Sequence, residues 1–121
     1  MILVDTSVWI DHFRRGNDRL AAFLGDGEVL GHPFITVELA CGSFRSWKEI
    51  LTLLNELPQA SVASPSEVLL FIERHRLMGR GLGYVDVHLL ASARLDRAGL
   101  WTRDRRLADA ARSMKVFADP R

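Results

Sequence analysis

Cysteine is almost missing from this chain of 121 residues, because Cys41 is the only one. One cysteine cannot form a disulfide within the chain, so we exclude a disulfide scaffold and expect a reducing cytoplasmic location. Long hydrophobic runs are missing too. The longest, residues 68–72, falls far short of the roughly 20 residues that span a bilayer. Residues 1–5 include no basic segment, and we expect no signal peptide.

Neither sign of charge dominates the sequence. Lys and Arg number 16 and Asp and Glu number 15, which gives a formal net charge of +1. As a sum, this balance does not favour a nucleic-acid partner. The hydrophobic content of 48% and charged content of 26% are typical of a globular domain and exclude disordered or fibrous chains. At this length we expect a single domain over residues 1–121.

Histidine and cysteine lack the arrangement of a metal or nucleophile site. No two of the four histidines stand at the H-x-x-x-H spacing of a zinc site. We interpret His75 and His88 as helix-surface residues and His32 as a strand-end residue, whereas His12 lies near the candidate site described below. Cys41 has no evident base beside it and is expected to be a small buried apolar residue.

Short apolar segments alternate with helical patterns along the chain. Strands are predicted over residues 2–4, 28–32, 100–102 and 116–118. Helices are predicted over residues 8–13, 18–24, 46–57, 65–78, 84–98 and 105–114, and one more from the N-cap Thr36. The clearest local signal is the capping box of Ser64 and Glu67 around Pro65. The alternation predicts an α/β sandwich with a mostly parallel sheet between helices.

Two acidic residues follow predicted strands. Asp5 comes directly after the first strand, and Asp104 comes shortly after the strand over residues 100–102. Sites in open parallel sheets form at the carboxyl ends of strands, so these two side chains are expected at one edge. Each is also a favoured helix N-cap residue, and either one alone is equally well explained as a cap.

Two further carboxylates stand near predicted helix starts. Asp86 shares a helix face with Leu89, Leu90 and Ala93, where an unpaired charge would be costly to bury. A first-turn Asp favoured by the helix dipole is the simpler explanation of its position. Glu38 is likewise expected in the first turn of a helix, among apolar neighbours. A structural role, in which it pairs with Arg45 or another cation, is weighted equally with a functional one.

The four carboxylates together suggest a particular chemistry. A set of Asp and Glu oxygens without thiolate or imidazole suits Mg²⁺ or Mn²⁺ better than zinc or copper. A divalent cation would also compensate their mutual repulsion. Metal-assisted cleavage of a phosphodiester is the reaction class that uses such a cluster.

Aromatic side chains offer a second kind of candidate. Trp101 lies in a predicted strand and is expected in the core. Trp9, Phe13 and Trp47 fall on short helices early in the chain. They are either core residues or contact residues in an exposed groove for a protein partner.

Four segments in order resemble the motifs of PIN-domain ribonucleases, and more narrowly of the VapC toxins of bacterial type II toxin–antitoxin modules. They read MILVDTSVWI (residues 1–10), VELACG (37–42), GYVDVHLLA (83–91) and LWTRDRRL (100–107). One such motif would be weak evidence, whereas four in family order across nearly the whole chain are specific.

The resemblance implies a fold, an activity and a site. The fold would be a PIN-like three-layer sandwich, and the activity would be hydrolysis of RNA such as tRNA or rRNA with Mg²⁺ or Mn²⁺. By motif, the catalytic and metal-binding residues would be Asp5, Glu38, Asp86 and Asp104. Thr6, Ser7 and Thr102 would orient carboxylates or water.

The same resemblance implies partners. Family toxins pair with a VapB-type antitoxin that covers the site, and they usually form homodimers. We therefore expect a homodimer and a toxin–antitoxin hetero-oligomer, with no membrane contact.

Two other functions remain open on the residues alone. A receiver-like phosphoryl-transfer domain also clusters acids at a sheet edge, but it needs a lysine after a late strand. Neither Lys48 nor Lys115, the only lysines, stands there. A non-catalytic PIN-like module that binds RNA or protein is the other, and the four acidic positions speak against it.

The near-neutral charge conceals two opposite patterns. If the four carboxylates form a metal site, the remainder of the chain is clearly basic. Arginine supplies nearly all of the positive charge, and it suits bidentate contact with phosphate better than lysine does. The arginines that flank the predicted site are RNA-contact candidates: Arg14, Arg15, Arg80, Arg103, Arg105 and Arg106.

Overall fold

A three-stranded parallel sheet forms the centre of the protein, of which the computed structural model describes residues 1–120. The strands β1 (Ile2–Val4), β2 (Val29–Leu30) and β3 (Gly99–Trp101) lie in the order β2-β1-β3. Ile2 is opposite both Val29 and Gly99 in the register. The apolar run of β1 fits this central position, because a strand flanked on both edges in a covered parallel sheet is buried on both faces.

Seven helices pack around this sheet in the described part of the chain. They are α1 (Thr6–Arg15), α2 (Asp18–Gly25), α3 (Pro33–Ala40), α4 (Trp47–Glu56), α5 (Pro65–Arg74), α6 (Tyr84–Leu95) and α7 (Arg105–Ser113). The predicted α/β class with a parallel sheet is therefore confirmed. The strand predicted over residues 116–118 is reduced to one bridge between Phe117 and Leu100.

Helix α5 begins as its capping box predicts. Ser64 Oγ accepts a hydrogen bond from the Glu67 backbone N–H at 3.2 Å, and Glu67 Oε1 accepts one from the Ser64 N–H at 2.8 Å. Both α5 and α6 end three or four residues earlier than predicted. A residue with positive φ follows each of them, Arg76 and Arg97 at 52°, and this conformation cannot continue a helix.

Helix α3 begins earlier than predicted, and this changes the setting of Glu38. His32, not Thr36, is the N-cap residue, and its Nδ1 accepts a hydrogen bond from the Phe34 N–H at 3.1 Å. Pro33 occupies the first turn, where its missing N–H costs nothing. Glu38 therefore lies near the C-terminal end of α3, so the first-turn interpretation of this residue is wrong.

Burial differs from expectation at two residues. Cys41 is exposed, because it follows the end of α3. His88 is buried at 2% exposure, because α6 is covered around its whole middle, over residues 87–93. The helix face that carries Asp86 is therefore not distinguished by burial from the others. No helix among residues 1–120 is long and apolar enough to cross a membrane.

Candidate active site

Asp5 and Thr102 meet at the carboxyl edge of the sheet, after the neighbouring strands β1 and β3. The Asp5 N–H continues the ladder by donating to the Trp101 carbonyl at 2.9 Å. The Thr102 hydroxyl then donates to Asp5 Oδ2 at 2.7 Å. Asp5 is 7% exposed, and its side chain does not cap α1 although it occupies the N-cap position. The simple capping explanation therefore fails for Asp5.

Ser7 reinforces the same carboxylate from α1. Its hydroxyl donates to Asp5 Oδ2 at 2.8 Å and accepts a hydrogen bond from the Arg103 backbone N–H at 3.0 Å. Thr102 Oγ1 in turn accepts from the Asp104 N–H at 3.0 Å. These contacts fix Asp5 Oδ2 between two hydroxyl groups that are themselves held by the backbone after β3.

Glu38 reaches the edge from α3. The Thr6 hydroxyl donates to Glu38 Oε1 at 2.7 Å and so connects α1 to α3. Glu38 is exposed, unlike Asp5.

Asp86 sits at the start of α6 and accepts a hydrogen bond from the Gly83 N–H on Oδ2 at 2.9 Å. Burial raises the pKa of this carboxyl above its ordinary value, and the bond from Gly83 opposes the increase. The negative charges of Asp5, Asp104 and Glu38 raise the pKa further. Asp5, Asp104 and Glu38 are therefore each close enough to Asp86 for their charges to act on it.

Asp104 does what a cap residue does, since its Oδ1 accepts a hydrogen bond from the Leu107 N–H at 3.1 Å at the start of α7. The capping explanation fits its side chain, yet it leaves Oδ2 without a donor in the described chain. At Asp5, Glu38 and Asp86 too, one carboxylate oxygen accepts a hydrogen bond, and the other oxygen has no hydrogen-bond donor within residues 1–120.

This donor set fits a divalent cation in chemistry. Each of the four carboxylates has one oxygen without a hydrogen-bond donor in the described chain, and such oxygens are the ligands that hard divalent cations prefer. A cation would also relieve the repulsion that the other three carboxylates exert on Asp86. In the described residues, however, no three His, Cys, Asp or Glu side chains are grouped closely enough to hold an ion. The carboxylates are turned toward their own backbone and hydroxyl donors.

The candidate RNA-contact arginines divide into two groups. Arg14, Arg15 and Arg103 line one cleft beside Ser7. Arg80 donates to the Ser113 hydroxyl at 3.2 Å, and the Arg106 side chain lies against Gly81. Arg105 is exposed at the start of α7.

The cleft contains a residue that the sequence analysis missed. Asp11 accepts from Arg15 Nε at 2.9 Å and pairs with Arg103 Nη1 at 2.7 Å. The sequence does indicate the pair of Asp11 and Arg15, because oppositely charged residues four positions apart on a helix contact each other.

The aromatic candidates are corrected at one position. Trp9 has no exposed surface, so it is a core residue and not a partner contact. Phe13 is partly buried and stacks on Trp9 with the ring centroids 5.5 Å apart. Trp47 is 40% exposed, and its indole N–H donates to the Ala40 carbonyl at 2.8 Å.

Comparison with known proteins gives the following matches. The PIN domain family matches residues 2–113. The chain is 51% identical over 111 residues to Ribonuclease VapC32 of Mycobacterium tuberculosis, in strain CDC 1551 / Oshkosh and in strain ATCC 25618 / H37Rv. That match covers 91% of this chain and 90% of the relative.

Two solved structures resemble the fold. One is FitAcB from Neisseria gonorrhoeae, with a TM-score of 0.62 and 21% identity over 93% of this chain and 94% of that one. The other is FitAB bound to the IR36 DNA fragment, with a TM-score of 0.62 and 22% identity over 93% of this chain and 91% of that one. At these identities the likeness establishes the fold alone.

Proposed function

This chain belongs to the PIN-domain family and to its VapC group, and from that premise we propose that it is a metal-dependent endoribonuclease, the toxin of a type II toxin–antitoxin module. The relative at 51% identity is named a ribonuclease. The observation that supports the proposal is the raised pKa of Asp86, to which burial contributes most and the negative charges of Asp5, Asp104 and Glu38 contribute further. Residues 1–121 would form a single PIN domain.

Asp5, Glu38, Asp86 and Asp104 would hold the ion through the oxygens that have no donor in the described chain. Mg²⁺ or Mn²⁺ is the expected cation because all of these ligands are hard oxygens. When bound, the cation would stabilise negative charge on the phosphate and lower the pKa of a water molecule.

The chain's own residues would orient this site. Ser7 and Thr102 donate to the same oxygen of Asp5, which fixes the rotation of that carboxylate and turns its other oxygen outward. Thr6 does the same for Glu38. Because these hydroxyls are held in place before substrate arrives, the site needs little rearrangement at α1.

The substrate would be structured RNA of the tRNA or rRNA class. An acidic centre repels a polyanion, so binding needs cations around it. The arginines at the rim supply them, and guanidinium groups contact phosphate in a bidentate manner.

A VapB-type antitoxin and a second copy of the chain would be the protein partners. Phe13 and Trp47 remain the contact candidates, since Trp47 at the start of α4 is exposed and Phe13 on α1 is only partly buried. A cytoplasmic location completes the proposal, because it would keep the exposed thiol of Cys41 reduced.

Cleavage of purified total tRNA and rRNA with Mg²⁺, with Mn²⁺ and with excess chelator tests this function. We expect discrete fragments with either metal, none in chelator, and none from Asp5→Asn. Asp109→Asn is a matched control, because this exposed carboxylate on α7 pairs with Arg112 and, within residues 1–120, with no other cation. Full cleavage in chelator would refute the metal mechanism.

A non-catalytic PIN-like module that binds RNA or protein is the second candidate. It is favoured by one observation, that no three acidic side chains of the described chain are grouped to hold an ion. Intact RNA under all metal conditions, together with measurable RNA binding, would support it over the nuclease.

A further inference from the structure

A basic cleft borders the acidic edge and shares a residue with it. This open cleft of about 360 Å³ is lined by Ser7, Ile10, Asp11, Arg14, Arg15 and Arg103. Ser7 donates to Asp5 on one side and accepts from the Arg103 backbone on the other. Whatever occupies the cleft is therefore next to the candidate catalytic carboxylates.

Asp11 organises the cleft. One oxygen, Oδ1, accepts from Nε and Nη2 of Arg15 and also pairs with Nη1 of Arg103. The Asp11 side chain is 13% exposed, whereas Arg15 and Arg103 are 70% and 53% exposed. Each guanidinium is thus fixed along one side and open to solvent along the other.

The second oxygen of Asp11 is tied to the turn between α1 and α2. Asn17 Nδ2 donates to Asp11 Oδ2 at 3.4 Å. Asn17 is itself fixed, because its Oδ1 caps α2 by accepting from the Leu20 N–H at 3.0 Å. Gly16, with φ at +77°, makes the turn that brings Asn17 back toward α1. The carboxylate is therefore held at both oxygens.

The charge of the cleft fits an anion. Three guanidinium groups surround one carboxylate, so positive charge remains after pairing. Arg15 and Arg103 approach the same oxygen from a helix and from the segment after β3, and both side chains line the same open cleft. A phosphodiester oxygen pair is the ligand that such forks bind.

We propose that Asp11 is a positioning residue that holds Arg15 and Arg103 as a binding pair for an RNA backbone phosphate next to the scissile one. This inference rests on the proposed ribonuclease function and names the contact that places its substrate. RNA is favoured over an acidic protein segment because the cleft shares Ser7 with the candidate catalytic edge.

The substitution Asp11→Asn changes RNA affinity in opposite directions under the two possible roles of the arginines. If the arginines act only as diffuse positive charge, removal of a negative charge tightens RNA binding. If Asp11 positions them, affinity falls about tenfold, as for loss of one charge-assisted contact. The slope of log affinity against log salt concentration also becomes shallower by about 0.9, the contribution of one phosphate contact.

Binding is measured by fluorescence anisotropy with a short labelled RNA hairpin in chelator, across a salt series. Asp109→Asn, which breaks a similar pair on α7, should leave affinity and slope unchanged. Asp11→Glu should recover part of the affinity, and Arg15→Gln and Arg103→Gln should each reduce the slope. If Asp11→Asn lowers the melting temperature, the variants Arg15→Gln and Arg103→Gln still test the proposal, because they leave Asp11 in place.

Cleavage of tRNA and rRNA by the wild type separates the two proposals. If the wild type cleaves RNA and Asp11→Asn binds RNA as well as or better than the wild type, the positioning role is overturned while the nuclease stands. If Asp11→Asn loses affinity for polyglutamate but not for RNA, the cleft takes an acidic protein segment, which also overturns the proposal. A wild type that binds no RNA in this assay overturns the positioning role, and one that also cleaves no RNA with either metal refutes both proposals.

Discussion

The acidic edge and the Asp11 cleft share Ser7 but arrange charge in opposite ways. At the edge, the charges of Asp5, Glu38 and Asp104 act on Asp86, and each of the four carboxylates is held separately by its own hydroxyl or backbone donor. In the cleft, one carboxylate joins two opposite charges. The two regions also show opposite pKa directions, since the pKa of Asp86 is raised, mainly by burial, and that of Asp11 is lowered, mainly by its bond from Arg15.

This difference separates a carboxylate whose charge is opposed by its neighbours from a carboxylate whose charge is already paired. Charges that stabilise a fold are arranged to attract, as in the cleft. Like charges that lie close together are typical of sites where a bound ligand compensates them. A carboxylate with a raised pKa at a sheet edge is for that reason a candidate functional group. The comparison predicts that removal of charge has opposite consequences in the two regions.

Removal of Asp5 should have the largest effect. Asp5→Asn is expected to reduce RNA cleavage by more than about 100-fold, which exceeds the typical effect of losing a supporting group. It should retain or raise the melting temperature, because the amide removes one repelling charge and can still accept from Ser7 or Thr102. The assay is cleavage rate beside thermal unfolding, and a large loss of stability with full activity would point to a structural role.

Loss of a supporting hydroxyl should have an intermediate effect. Thr102→Val keeps the shape of the side chain but removes the hydrogen bond to Asp5 Oδ2, so we expect a decrease in cleavage rate of about 10- to 100-fold. Thr52→Val on α4 is the matched control, because within the described residues its hydroxyl bonds to the Lys48 carbonyl alone. Equal rates for both variants would show that Asp5 needs no such support.

The smallest effects should appear in stability measured against pH. A raised pKa means that folded Asp86 binds protons more readily than the unfolded chain, so its charge weakens the fold as pH rises through the raised value. Asp86→Asn should therefore increase the melting temperature at neutral pH, and this gain should vanish below the ordinary carboxyl pKa of 3.8.

Asp11→Asn should behave in the opposite way. The pKa of Asp11 in the folded protein is lowered, so its charge stabilises the fold above pH 3.8, the ordinary carboxyl pKa. That contribution is lost as pH falls through the lowered pKa. We expect a small decrease in melting temperature at neutral pH, since Arg15 and Arg103 are exposed and screened by solvent. Melting curves of both variants from neutral to acidic pH are the check, and shifts of the same sign would invalidate the comparison.

The sequence predicts the parts of the fold that depend on local chemistry. The apolar run of β1 and the capping box at Ser64 act within a few residues, and the structure confirms both. The approach of Asp5 and Asp104 was also predictable, because parallel neighbouring strands end at one edge.

The parts that depend on packing between distant segments were not predictable. The burial of Trp9 and His88 and the exposure of Cys41 follow from which elements cover them. His32 shows this best, since its ring caps α3 and its Nε2 lies 3.1 Å from Ser92 Oγ on α6. Burial lowers the pKa of His32 to about 4, which no local pattern indicates. Likewise, the pairing of Asp11 with Arg103 joins residues far apart in the chain.

Thermal unfolding with and without Mn²⁺ checks the claim that Asp5, Glu38, Asp86 and Asp104 form a cation site. Binding to the folded state alone stabilises it by mass action, so we predict that Mn²⁺ raises the melting temperature of the wild type and of Asp109→Asn. The variant Asp5→Asn with Asp86→Asn should show no such increase. An equal increase in that double variant, or none in the wild type, would contradict the claim.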